Sequence, residues 1–278
     1  MQQMKKKVFF QGEHGAFSEE AAINYFRTSV KTIPCKTFEE VFQAVRKKNS
    51  HFGIIPIENS LAGSLHINYD LLLKYKLQII GEISIRISHQ LLGLKGTNIK
   101  SIKKIYSHSM AIQQCRTFLR SLSSVDLIET YDTAGSVVML INSKSKDTAA
   151  IASKSAAQIY GVKILKKNIE DYKQNFTRFL ILSKKRITAV GSPAKTSIVF
   201  SLKNEPGILF KALSGFALRG IDLTKIESRP VREKPFEYYF YLDFIGSNKE
   251  AAIKNALNSL REITDDIRVL GSYAIFRK

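Results

Sequence analysis

The stretch Leu77-Gln-Ile-Ile-Gly-Glu-Ile-Ser-Ile-Arg-Ile-Ser-His-Gln-Leu-Leu-Gly-Leu94 sets the fold class. It is long, largely alternating and rich in isoleucine, so it reads as extended chain rather than helix. At about 3.3 Å per residue it can run from one body of a protein to another. A second extended region, near 162–184, ends in Asn175-Phe-Thr-Arg-Phe-Leu-Ile-Leu-Ser-Lys184. Two such segments suggest two lobes joined by two crossings, with a ligand cleft between them.

Strand and helix patterns alternate on either side of these crossings. Lys6–Phe10 reads as a first strand, followed by a helix in which Phe17, Ala21, Ala22, Tyr25 and Phe26 share a face. Thr37 and Glu40 form a capping box before the helix VFQAVRKKN. HFGIIPI (51–57) is a short buried strand, and HINYDLLLKY a helix. KKIYSH, VDLIET and TAAIAS are strands, each followed by a helical pattern. This alternation predicts parallel sheets in an α/β fold. KRITAVGSPAK (185–195) reads as a polar linker. Beyond it the order becomes βαββαβ over roughly 80 residues, a ferredoxin-like sandwich.

The 278 residues are 44% hydrophobic, enough for about two domains. Val8, Phe9 and Phe10 are too short an apolar run for an export signal, which needs roughly 7–15 such residues. No run approaches the roughly 18 of a membrane span, so a cytoplasmic protein with no membrane partner is expected. Cys35 and Cys115 form no Cys-x-x-Cys pair, and the five histidines show no metal-binding spacing. No metal and no cofactor are expected. The net charge of +19 raises the possibility of nucleic acid, but the lysines are dispersed and no nucleic-acid motif accompanies them. A basic background also favours a small dianionic substrate.

Four polar segments lie at the ends of predicted strands, where α/β folds gather ligand groups. Gly12-Glu-His-Gly15-Ala16 precedes a helix, so its amides are candidates to face an anion, although a tight turn explains it equally. Glu58-Asn59-Ser60 follows a buried strand; capping accounts for one of these residues but hardly all three. Ser107 and His108 lead into a helix carrying Gln114. Thr177 and Arg178 stand among large apolar residues in Asn175-Phe-Thr-Arg-Phe179, and an arginine there needs a partner.

Together these segments resemble the prephenate dehydratase family. The likeness rests on Pro56-Ile-Glu-Asn-Ser60 with Gly63 and Asp70-Leu-Leu; on Ser107, His108, Ala111, Gln114 and Cys115; on Asp132-Thr-Ala134; and on Asn175–Phe179. Asn204-Glu-Pro206-Gly207-Ile208-Leu209 and Glu227-Ser228-Arg229-Pro230 resemble the two motifs of that family's regulatory ACT domain.

The resemblance implies a two-lobed, periplasmic-binding-protein-like α/β catalytic domain with an inter-lobe cleft over residues 1–185. Its lobes would be about 1–80 plus 175–185, and 81–174. A ferredoxin-like ACT domain would occupy 195–278. The implied reaction takes carbon dioxide and water from prephenate to give phenylpyruvate, on the route to L-phenylalanine. Arogenate dehydratase is the alternative, which Ala16 also fits; a non-catalytic amino-acid-binding protein is a distant one. With no chorismate mutase segment before Met4, one activity is expected.

Thr177 would be the catalytic donor and Arg178 the grip on a carboxylate. The amides near Gly15 and Ala16 would hold the other carboxylate. Asn175, Phe179, Glu58, Asn59, Ser60, Ser107, His108 and Gln114 would complete the substrate site. L-Phenylalanine, as effector, would meet Asn204, Pro206, Gly207, Ile208, Leu209, Glu227, Ser228 and Arg229 in a homodimer or homotetramer.

Overall fold

The structure, a computed structural model, describes residues 6–27, 30–122, 124–186, 193–231 and 234–276. They divide into two compact units, Met1–Leu71 with Ile83–Phe179 and Leu72–Glu82 with Leu180–Lys278.

The first lobe begins with β1 (Lys6–Gln11), α1 (Phe17–Phe26), β2 (Val30–Cys35), α2 (Phe38–Lys47) and β3 (His51–Asn59). It continues through β4 (Gly63–Ser64), α3 (His66–Tyr75) and β5 (Gln78–Arg86). Helix α2 starts where the capping box placed it: the Thr37 hydroxyl accepts the Glu40 N–H at 3.2 Å. The Glu40 carboxylate reaches one residue further back than expected, to the Lys36 N–H. Val41, Phe42 and Val45 are the face this helix buries. Strand β3 is buried almost throughout, as suits a strand covered on both faces.

The second lobe holds β6 (Gln90–Gly93), β7 (Lys104–Ser107), α4 (Ser109–Gln114), α5 (Arg116–Arg120), β8 (Asp126–Glu129) and α6 (Thr133–Ser143). Then come β9 (Thr148–Ala152), α7 (Lys154–Tyr160) and β10 (Lys163–Lys166), before β11 (Phe176–Ser183) returns the chain to the first sheet. The two sheets run β2-β1-β3-β11-β5, with β4 on β3, and β10-β6-β9-β7-β8.

Two expectations change here. The first extended stretch is two strands, β5 and β6, broken at 87–89. The sheets are also mixed. β1 is parallel to β2 and β3, and β7 to β8 and β9, but β6 is antiparallel to β9 and β10. β6 and β5, either side of the crossing, belong to different sheets.

The second unit contains β12 (Ala194–Leu202), α8 (Ile208–Ala217), β13 (Leu223–Pro230), β14 (Tyr238–Ile245), α9 (Ala251–Arg261) and β15 (Asp266–Ala274). The sheet order β13-β14-β12-β15 is antiparallel throughout, so the ferredoxin-like sandwich is present. Phe200, Phe216, Leu242, Phe244, Ile253 and Leu257 form its core.

Residues 72–82 belong to this unit, and the contacts say why. Lys195 Nζ lies 2.6 Å from Glu82 Oε1. Arg268 donates to the carbonyls of Leu72 and Leu73 at the end of α3, where a cation suits the helix terminus. A side chain at Gly271 would strike the Ile79 carbonyl. Of the expected linker 185–195, residues 187–192 lie outside the described residues. No helix among the described residues is long and apolar enough to cross a membrane.

Candidate active site

A cavity of about 450 Å³ opens between the two lobes of the first unit. Its wall includes Ala16, Phe17 and Ser18 at the start of α1, Asn59 at the end of β3, and Thr177 and Phe179 on β11. The second lobe adds His108, the N-cap of α4, Ala111 and Gln114 on α4, Tyr131-Asp132-Thr133 at the start of α6, and His89 from the crossing. The starts of α1, α4 and α6 thus all reach this wall, and helix N-termini favour anions.

The polar groups form one directed chain. Asn59 Oδ1 accepts the N–H groups of Leu61 and Ala62 at 3.0 and 2.9 Å. This fixes the amide, so its nitrogen must face the other way. There it donates to Asn175 Oδ1 at 2.7 Å and to Thr177 Oγ1 at 2.9 Å. Asn175, its oxygen occupied, donates through Nδ2 to Gln114 Oε1 at 2.8 Å. That oxygen can only accept, so His89 Nε2, 2.9 Å away, carries the proton. Two backbone amides therefore set the orientation of three side-chain amides and one imidazole. Thr177, whose oxygen accepts from Asn59, keeps its own O–H to donate elsewhere, and the nitrogen of Gln114 is left as a donor.

Several residues singled out in the sequence stand off the wall. Arg178 lies between Thr177 and Phe179, and β11 alternates, so the two neighbours reach the cavity and Arg178 does not. Among the described residues no lysine or arginine lines this wall. Glu58, next to Asn59 on β3, is not among the wall residues.

Gly15 also has another job. Its N–H goes to Glu19 Oε2 at 2.6 Å, and the Ala16 N–H goes to the Glu13 carbonyl, so neither amide is offered to an anion. Gly15 has φ +89°, and a Cβ there would sit 2.5 Å from the Ala156 backbone. Ser153 Oγ donates to the Gly15 carbonyl at 2.6 Å. The glycine is there for close contact between the lobes.

Ser107 is fully buried and donates to the Ile151 carbonyl at 2.7 Å. Ser60 Oγ accepts the Phe176 N–H and donates to the Gln174 carbonyl. Asn175 is buried within the amide chain. These three hold the site's parts together rather than line it.

Other wall groups were not singled out in the sequence as site residues. Asp132 caps α6 through the Gly135 N–H and takes the Glu13 N–H from the opposite lobe at 2.9 Å. Burial raises its pKa, against the pull of those amides. Its Asp-Thr-Ala context was the available signal. Tyr131 donates to the Glu13 carboxylate. His89 had only the cue of a histidine inside an apolar extended run. Cys115 is buried, and desolvation pushes its thiol up, which keeps it protonated.

The prephenate dehydratase family model matches residues 8–187, the whole of this two-lobed region, and the ACT domain model matches 196–262. The chain belongs to the prephenate dehydratase family.

This dehydratase is 43% identical over 280 residues to arogenate dehydratase/prephenate dehydratase 2, chloroplastic, of Arabidopsis thaliana, covering 97% of this chain and 73% of that one. A prephenate dehydratase from Arthrobacter aurescens in complex with L-Phe matches it with TM-score 0.89 at 30% identity, over 96% of this chain and 90% of that one. A structure described as GqqA, a novel type of quorum quenching acylase, matches with TM-score 0.89 at 33% identity, over 97% and 98%.

In the ACT domain a smaller cavity, about 220 Å³, is lined by Asn204, Gly207, Ile208 and Leu209 together with Lys203, Phe210, Phe236, Tyr238 and Phe240. Pro206 is not on that wall. Glu227, Ser228 and Arg229 lie elsewhere, on edge strand β13 opposite Tyr241, Phe240 and Tyr239. Lys225 Nζ is 3.5 Å from Glu227 Oε2 on the same face. Within a single chain the first motif lines this cavity, and the second is paired with β14, whose Tyr238 and Phe240 also line it.

Proposed function

We propose that this dehydratase acts on prephenate, releasing phenylpyruvate, carbon dioxide and water, and that L-phenylalanine inhibits it. The C–C bond to the ring carboxylate breaks, and its electron pair aromatises the ring as the C–O bond to the ring hydroxyl breaks. The departing oxygen leaves as water and needs a proton. Thr177 is the residue placed to assist it, because its O–H is not used by Asn59. A donor aimed at developing charge is the effective catalytic device here. The amide of Gln114 and the helix starts would hold the carboxylates, with Asn59 and Asn175 as positioning residues.

That polarity of the Thr177 hydroxyl carries the reading. It also separates the dehydratase from the acylase reading: an acyl-transfer nucleophile needs a base to take its proton, and an amide N–H cannot. Side-by-side kinetics with prephenate and arogenate test the proposal. A higher kcat/KM for prephenate is expected; preference for arogenate, a name the Arabidopsis relative also carries, would transfer the reaction to that substrate.

For regulation, the catalytic part is taken as 1–185 and the ACT part as 195–278. L-Phenylalanine would bind near Asn204–Leu209, and in a homodimer or homotetramer the β13 motif of a second copy can complete that site. Phe210, Leu218 and Phe236 are strongly exposed in this part, as a subunit contact requires. Sedimentation with and without L-phenylalanine checks the assembly. A cytoplasmic setting is part of the same proposal.

A further inference from the structure

Another cavity, of about 520 Å³, lies within the second unit, where α9 and β15 meet the chain that follows β11. That volume suits a small molecule. From α9 it takes Lys254, Leu257, Asn258 and Arg261. Their spacing of three, four and seven residues from Lys254 puts them on one stripe of the helix. Arg186, past the end of β11, and Arg268, on β15, add two further cations. Among the described residues, four cations and no carboxylate line this wall.

The four cations differ in their engagements. Arg268 already donates to the carbonyls of Leu72 and Leu73. Arg186, Lys254 and Arg261 are exposed, and none has a carboxylate partner among the described residues. Arg261 Nη1 donates to Asn258 Oδ1 at 2.6 Å. A guanidinium can only donate, so this contact orients the amide and leaves Asn258 Nδ2 as a further donor. Leu257, Ile267 and Val269 give the same wall an apolar part.

The chain carries a net charge of +19, so a single exposed lysine or arginine calls for no explanation. Cations gathered on one concave wall are a different case. Low-dielectric walls focus their field and draw anions in, and a bound anion relieves their mutual repulsion. We propose that this cavity binds a small organic molecule bearing a multivalent oxyanion, either a phosphate ester or a polycarboxylate. Its anionic groups would meet Arg186, Lys254, Arg261 and Asn258 Nδ2, and its carbon skeleton would rest on Leu257, Ile267 and Val269. The cavity shares no wall residue with the cleft or with the cavity at Asn204–Leu209. The proposal is independent of the dehydratase reading.

Calorimetry on the intact chain tests it, with pyrophosphate and citrate as probes in metal-free buffer at fixed ionic strength. Saturable binding of at least one probe is expected at millimolar concentration or below. The tighter probe tells a phosphate site from a polycarboxylate site. Lys254→Gln and Arg261→Gln should each weaken binding about three- to tenfold. Both side chains are exposed, so a native circular dichroism spectrum is expected of each variant. Lys47→Gln removes the same charge from exposed α2 and should leave binding unchanged. Equal weakening by Lys47→Gln would assign the binding to general positive charge and overturn the site. So would displacement of the probe by prephenate or L-phenylalanine, or binding of neither probe.

Discussion

Asn59 is the residue on which the cleft's hydrogen bonding turns, because its amide faces two backbone donors on one side and Asn175 and Thr177 on the other. Asn59→Asp keeps the size and removes the donor. Its carboxylate would meet the oxygens of Asn175 and Thr177, and Thr177 would turn its proton inward. A fall in kcat of about 10²-fold is expected, the scale of losing one key donor; unchanged turnover would refute the directed chain. Thr177→Ala should lose at least about as much, with a native circular dichroism spectrum.

His89 makes a pH prediction. Its folded pKa is depressed below the ordinary 6.5, with burial the main cause. Below about pH 6.5 the unfolded chain gains a proton that the native one refuses. Stability present above that pH is therefore lost as pH falls towards the folded value. Urea unfolding at pH 7.5 and 5 should show a larger loss for wild type than for His89→Gln. Equal losses would mean that His89 titrates normally.

Asn59, Gln114 and Thr177 were legible because three polar residues in apolar surroundings need a reason. Arg178 attracted notice on the same ground, and it stands between Thr177 and Phe179 on β11. His89 was illegible: a histidine in an alternating strand looks like packing until its partners are known.

Among the elements, the β1–α1 loop and the start of β12 carry the sharpest packing constraints. Gly15→Ala would add a Cβ 2.5 Å from the Ala156 backbone at a positive φ. A loss of about 1–3 kcal/mol is expected from overpacking alone, read by denaturant unfolding; a wild-type midpoint would show that the loop yields freely. Lys195→Met removes the ammonium from Glu82, where both side chains are about nine-tenths buried. Breaking such a pair costs about 3–5 kcal/mol, and Glu82→Gln in the same chain should recover part of it.

The order of strands and helices was readable from periodicity, since helices and strands bury different spacings. The break at 87–89 was not, because apolar residues continue through the crossing. Nor was the tie between residues 72–82 and the ACT sheet. It depends on Gly271, Arg268 and Lys195 meeting a segment more than a hundred residues away.

Across the whole chain, effector and substrate are expected to oppose each other. A coupling of about 1–3 kcal/mol, or about 5–150-fold in affinity, is typical, and it is reciprocal. Calorimetry should show L-phenylalanine binding at millimolar concentration or below, weakened when the cleft is filled. Asn204→Ala should keep kcat and lose inhibition; this is a cleaner test than deleting 195–278, which would strip residues 72–82 of their packing. Absence of L-phenylalanine binding to the intact chain would remove the regulatory claim and leave catalysis standing. The most direct test of the dehydratase itself is to incubate the purified protein separately with prephenate and with arogenate, and to follow phenylpyruvate and phenylalanine. Phenylpyruvate should form from prephenate with the higher kcat/KM and be lost in Thr177→Ala; formation of neither product by the wild-type protein would contradict the assignment.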